Sequence, residues 1–218
     1  MMEKYGDEAR VTPELIEYIR TNVFPVYAKN DQAHQLEHIE YVIRRSLLFM
    51  QQFDGLNADM VYAIAAYHDI AHHVDKDNHE TLSASMFEAD MSMKRFFTDD
   101  QRQIMKEAIE DHRASLEYEP RSRYGKIVSS ADRSVDVDAF LRRTHAYSLK
   151  HFPGFTEAQN MERCYQHMKD KYGSSGYAKH YVVDEEYLQF QQIIRNLIED
   201  RNAFEEKYRA VNVSADTF

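Results

Sequence analysis

Apolar residues recur along most of this chain at intervals of three and four, the spacing that lines one face of an α-helix. Ile39, Val42, Ile43, Leu47 and Met50 make one such stripe, and Val61, Ile64 and Ala65 a second. Ile104, Met105, Ala108 and Ile109 make a third, and Ile127, Val128, Ala131 and Val135 a fourth. Start signals precede them. Thr12-Pro13-Glu14 puts proline at the first helical position, where its missing N–H is harmless, and Pro25 ends or kinks the helix that follows. Asp31 is placed to cap the helix of the first stripe and Asn57 that of the second. Thr98 with Gln101, and Thr156 with Gln159, have the spacing of capping boxes. These starts predict about eight or nine helices. From Asp184 onward Tyr187, Phe190, Ile194, Leu197, Arg201, Phe204 and Tyr208 read as one packing helix. Residues 177–183, carrying Lys179 and His180, are the one extended candidate, read as an ordinary loop rather than a lid.

The expected fold class is therefore all-α, a compact multi-helix bundle with additional C-terminal helices. The 6 glycines and 4 prolines fit short helix connections and oppose a β-rich fold. At 218 residues and 43% hydrophobic the chain can bury a full core, most simply as one domain over 1–218. The turns at 151–156 and 173–176 are too short to be domain linkers. A net charge of -10 argues against a broad phosphate-backbone interface, so long nucleic acid is not an expected partner. The single Cys164 excludes an intrachain disulfide framework. No N-terminal apolar run looks like a signal peptide, and no apolar stretch reaches the ~18 residues of a membrane span, so a soluble cytoplasmic protein is expected. The remainder of the last apolar stripe could support a homodimer, which a one-chain mass in gel filtration would exclude.

Four polar residues interrupt this apolar pattern. Asp132 falls beside Val128 and Ala131, the pair His68-Asp69 continues the stripe of Ile64 and Ala65, and His38 lies one turn before Val42. An unpartnered imidazole or carboxylate is costly to bury, and a shared metal ion would relieve all four. Singly, each has a simpler account as a hydrogen-bonded core histidine or a helix-capping aspartate. Two imidazoles and two carboxylates suit Mn, Fe, Ni, Co, Mg or Zn better than a thiolate-selected metal, and the sequence does not choose among these divalent ions. Four protein ligands leave positions for water and a substrate oxygen, the arrangement of an open, catalytic site.

The ordered set His38, His68-Asp69, Asp132, with its local strings AHQLEHIEYV, AAYHDIAHH and SSADRS, resembles the HD-domain superfamily of metal-dependent phosphohydrolases. The likeness covers a motif core of about 30–140 and leaves 141–218 as a helical extension. It implies that His38, His68, Asp69 and Asp132 are metal ligands. One position departs: members often carry a basic residue three after the first His, where this chain has Tyr41.

Further residues fall where a phosphohydrolase would need them. His112 continues the stripe of Ala108 and Ile109, where it could ligate a second metal, protonate a leaving group, hold a phosphate oxygen or serve as a core histidine. His79-Glu80 looks like the His-Glu pair of one branch of the family. With Asn78 as N-cap, Glu80 is also what the helix dipole favours in a first turn. His79 and His112 are thus the candidates for a second metal, and Asp69, His112 and Glu80 for catalysis. His34 and His72 stand one turn from His38 and His68 and are candidates to orient them. Lys76, Arg113 and Arg133 are the candidate substrate-binding cations, with surface ion pairing the simpler alternative. Three functions follow: hydrolysis of a small phosphorylated metabolite, a nucleotide or its pyrophosphate linkage first; a di-iron oxygenase on the same fold; or a noncatalytic module that binds metal and nucleotide.

Overall fold

The computed structural model describes residues 10–30 and 35–213. Asp31 and His34 lie outside the described residues. Among those described there are ten α-helices and no strand, against the eight or nine expected, and the fold is all-α. The chain divides into two compact units, residues up to Arg133 with His180–Val182, and Ser134–Lys179 with the rest of the chain from Val183.

The first unit holds α1 (Pro13–Asn22), α2 (Leu36–Met50), α3 (Ala58–Tyr67), α4 (His79–Ala89), α5 (Asp99–Glu110) and α6 (Arg123–Ala131), with 3-10 turns at Phe24–Lys29 and Met91–Arg95. Pro25 acts as expected: α1 stops at Asn22, and the proline sits in the opening of the first 3-10 turn. α3 is the central helix. Every side chain from Met60 to Tyr67 is buried, because its sequence is apolar around the whole circumference and α2, α5 and α6 all pack on it. Asn57 caps it, its side chain accepting from Met60 N at 3.2 Å. Thr98 and Gln101 form both bonds of the capping box that starts α5. α6 is capped by Ser122, which accepts from Gly125 N.

Residues 177–183 contain no strand. Two consecutive amides, Tyr181 N and Val182 N, donate to Ser130 Oγ on α6 at 2.9 and 3.1 Å, and Val182 is buried in the first unit's core. A hydroxyl that serves two backbone donors replaces the ladder that an extended segment would need.

The second unit comprises α7 (Val137–His151), α8 (Glu157–Tyr172), α9 (Glu185–Glu199) and α10 (Arg201–Val213) around Phe140, Leu141, Cys164, Met168, Phe190, Ile194 and Phe204. Thr156 and Gln159 form the second capping box, opening α8. Burial pushes the Cys164 thiol up to about 12, as expected of a sulfur that packs like a small apolar group. The single C-terminal helix read from the periodicity is two helices. Asp200 leaves the helical region (φ -110, ψ 99), and its Oδ1 accepts from Asn202 N and Ala203 N at 3.0 and 3.1 Å, which restarts the chain as α10. No helix of the described residues is long and apolar enough to cross a membrane.

Candidate metal centre

The residues singled out for chemistry stand at helix ends. His68 and Asp69 directly follow α3, Asp132 directly follows α6, and His112 comes two residues after α5. The fourth stripe therefore stops at Ala131, and Val135 lies outside the helix expected to carry Asp132. His38 is in the first turn of α2, and His79 opens α4. Ends are where a side chain can leave the helix surface for a shared point, and the carbonyl ends of α3, α5 and α6 are electrostatically suited to a cation.

Two groups of ligand-type atoms meet there. One atom from each of His38, His68, Asp69 and Asp132 lies within 4.8 Å of the others. His38 Nε2 is 3.1 Å from Asp132 Oδ1 and 3.8 Å from Asp69 Oδ2, and His68 Nε2 is 3.3 Å from that same Asp69 oxygen. Asp69, His79 and His112 form a second group by the same criterion. Here Asp69 presents its other oxygen, with both His79 Nε2 and His112 Nε2 at 3.3 Å from Oδ1. Asp69 belongs to both groups through different oxygens.

The imidazoles share one orienting device. His68 Nδ1 donates to Ala65 O at 2.8 Å, His79 Nδ1 to Lys76 O at 2.8 Å and His112 Nδ1 to Ile109 O at 2.6 Å, in each case the carbonyl three residues earlier. A carbonyl can only accept, so each Nδ1 carries hydrogen, and in the neutral ring each Nε2 is a lone pair turned toward the centre. His79 Nε2 and His112 Nε2 lie 3.1 Å apart. Two lone pairs at that distance repel unless a proton or a cation stands between them. His68 Nε2 and Asp69 Oδ1 are buried and make no hydrogen bond. The site thus presents donors to one another with little in the protein to satisfy them, the condition that a bound ion relieves.

Without an ion the charges compensate each other. Burial alone would raise the Asp69 carboxyl, but His68 and His112 outweigh it and hold the group well below the usual range. Burial likewise opposes the low value of Asp132, which His38 and His68 enforce. His68 is the converse: burial lowers it, and Asp69 and Asp132 raise it well above an ordinary histidine. His79 is lowered, first by burial and then by the charge of His112.

The other expected site residues are placed as follows. Glu80 pairs with Arg113 at 3.0 Å, and Arg113 also donates to Asp77 O, so a candidate from α4 and one from the loop after α5 engage each other. Lys76 is exposed, and its carbonyl orients His79. Arg133 is buried beside the centre, 3.4 Å from Asp132 Oδ2, and donates to Ser129 Oγ at 2.8 Å and His112 O at 3.1 Å. The ring of His72 lies 5.2 Å from that of His79. Tyr41 accepts from Arg45 Nη1 at 3.1 Å, so where the family often has a basic residue this chain has a phenol held by a guanidinium one turn later. Sequence reasoning missed Asn30, which donates to Asp69 O and accepts from His73, both at 3.0 Å. No local pattern marks it, because 39 positions separate it from Asp69.

The family model of the HD domain matches residues 36–135, which contain all four members of the first group and both histidines of the second. Neither the comparison with curated proteins nor that with solved structures finds a match.

Proposed function

We propose, from the premise that residues 36–135 are an HD domain, that this chain is a metal-dependent phosphohydrolase of a small phosphorylated metabolite, with nucleotides the first candidates. The observation that carries this reading is the convergence of His38, His68, Asp69 and Asp132, a mixed nitrogen and oxygen donor set whose inner atoms include the unsatisfied His68 Nε2. These residues would hold a divalent ion of the Mn, Fe, Ni, Co, Mg or Zn kind. Such an ion, when bound, supplies Lewis acidity toward a phosphoryl oxygen and lowers the pKa of nearby water.

The chain's own residues would do the rest. Asp69, with an oxygen on each group, orients the attacking water. His112, its ring direction fixed by Ile109 O, moves a proton to the leaving oxygen. Glu80 holds Arg113 toward the site, and Arg133 and Arg113 balance charge on the phosphoryl oxygens, with Lys76 at the exposed edge. Buried Arg133 is the best fixed of the three cations.

The test is release of phosphate and pyrophosphate from a panel of nucleotides and sugar phosphates, with Mn, Mg, Co, Ni or Fe returned to metal-stripped protein, beside Asp69→Asn. Metal-dependent release that vanishes in the variant is the expected result. Silence across the panel overturns the hydrolase.

A second reading, a di-iron oxygenase, is favoured by one observation: the group of Asp69, His79 and His112 supplies donors for a second ion beside the first. Substrate loss that requires both iron and oxygen, with no phosphate released, would select it.

A further inference from the structure

The second unit contains a cavity of about 320 Å³ that the metal centre does not use. Its floor is polar and buried. Asn160, from the first turn of α8, is 2 % exposed, lines the cavity, and its Oδ1 meets no hydrogen-bond donor. A buried amide oxygen left so loses the hydrogen bonds it had in water. Beside it the buried phenol of Tyr208 is hydrogen-bonded to His145 Nδ1, and Asn212 donates to Tyr208 O at 2.9 Å, so these neighbours are committed while Asn160 is not.

The charge at the mouth is lopsided. Arg209, the cation there, is occupied by Glu205, its Nη2 donating to Oε2 at 2.9 Å. Glu157 forms no ion pair among the described residues. The Tyr208 phenol is raised above its ordinary value by burial first, then by Cys164 and Glu157, so the carboxylate's field reaches the floor. Leu149 and Phe155 supply exposed apolar walls, 49% and 39% accessible.

The structure assigns this cavity to a small primary amine: an ammonium held between the Glu157 carboxylate and Asn160 Oδ1, with a compact apolar body against Leu149 and Phe155. An ammonium has three donors and no acceptor, which matches a free carboxylate and an unsatisfied amide oxygen. An anionic ligand finds only Arg209, already neutralised, and meets Glu157.

Calorimetric titration of the full chain with benzylamine tests this, with benzyl alcohol as the neutral match and benzoate as the anion. Saturable binding of one benzylamine per chain is expected, at least about tenfold weaker for benzyl alcohol and absent for benzoate. Glu157→Gln alters an exposed side chain and should weaken the amine by about tenfold. Asn160→Leu should do the same. No saturable binding at millimolar amine overturns the proposal, and a trapped water then accounts for Asn160. Equal binding of benzoate, or unchanged binding in Glu157→Gln, overturns it as well. Because Glu157 lies in the second unit, neither result bears on the hydrolase reading.

Discussion

Asn30 grips the backbone on which the candidate metal centre is built: its Nδ2 donates to the carbonyl of Asp69, and its Oδ1 accepts from both the amide and the ring Nδ1 of His73, all at 3.0 Å. One buried amide thereby clamps both sides of the turn that follows α3, fixing the direction in which Asp69 leaves the helix.

Removing that clamp should loosen the centre before it unfolds the protein. Asn30→Ala should weaken metal binding by about tenfold to a hundredfold, the usual effect of losing a residue that orients ligands. Asn30→Asp, which keeps the acceptor for His73 but loses the donor to Asp69 O, should fall between the two. Competition with a chelator measures the affinity, and circular dichroism checks the fold. Unchanged affinity in the alanine variant would reduce Asn30 to a loop anchor.

The two groups sharing Asp69 make a prediction about stoichiometry. If His79 and His112 serve a second ion, His79→Gln should lower bound metal from two ions per chain to one, while Asp69→Ala should impair both. Elemental analysis of protein loaded with Mn and desalted decides it. One ion per chain in both the parent and His79→Gln would leave His79 an orienting partner of His112, 3.1 Å away.

His167 should make the second unit sensitive to acid. Its ring is stacked on Phe140 (5.7 Å, 14°) and its pKa is lowered, first by burial and then by Lys171 and Arg163, with Asp170 opposing. The folded chain thus takes up this proton at lower pH than the unfolded chain. Below about pH 6.5 the unfolded state binds more protons, so this contribution is complete above that value and is lost as pH falls through the folded pKa. Thermal midpoints measured from about pH 8 to about pH 5 should decline less steeply in His167→Gln than in the parent. Parallel curves would dismiss the stacked imidazole as the cause.

Asp200 should be worth a helix cap. Asp200→Ala removes the acceptor for Asn202 N and Ala203 N and should cost about 0.5–2 kcal/mol. Asp200→Asn, which retains the acceptor, should recover most of it. Urea unfolding followed by far-UV circular dichroism gives the comparison, and equal loss in both variants would point to charge rather than capping.

Much of this molecule could be read without coordinates, because helix-forming information is local. Stripes at three and four, Thr98 with Gln101, Thr156 with Gln159 and Asn57 act within a turn or two of the residues they organise, so an all-helical chain and most helix starts followed from spacing alone. His38, His68, Asp69 and Asp132 were legible for a related reason: polar groups set into apolar stripes must share a partner. Local patterns do not say where a helix stops when the next begins in register, so spacing alone carries one helix through Asp200 and another past Asp132 to Val135, where the structure ends them at Glu199 and Ala131. Nor could they show that Asp69 turns one oxygen to each group, or that His79 and His112 face each other, since those relations cross helices. The reach of Asn30 over 39 positions, and a hydroxyl on α6 that receives Tyr181 N and Val182 N, exist only once the chain is packed. Hydrogen bonds of that range depend on three-dimensional proximity, which tertiary packing alone creates.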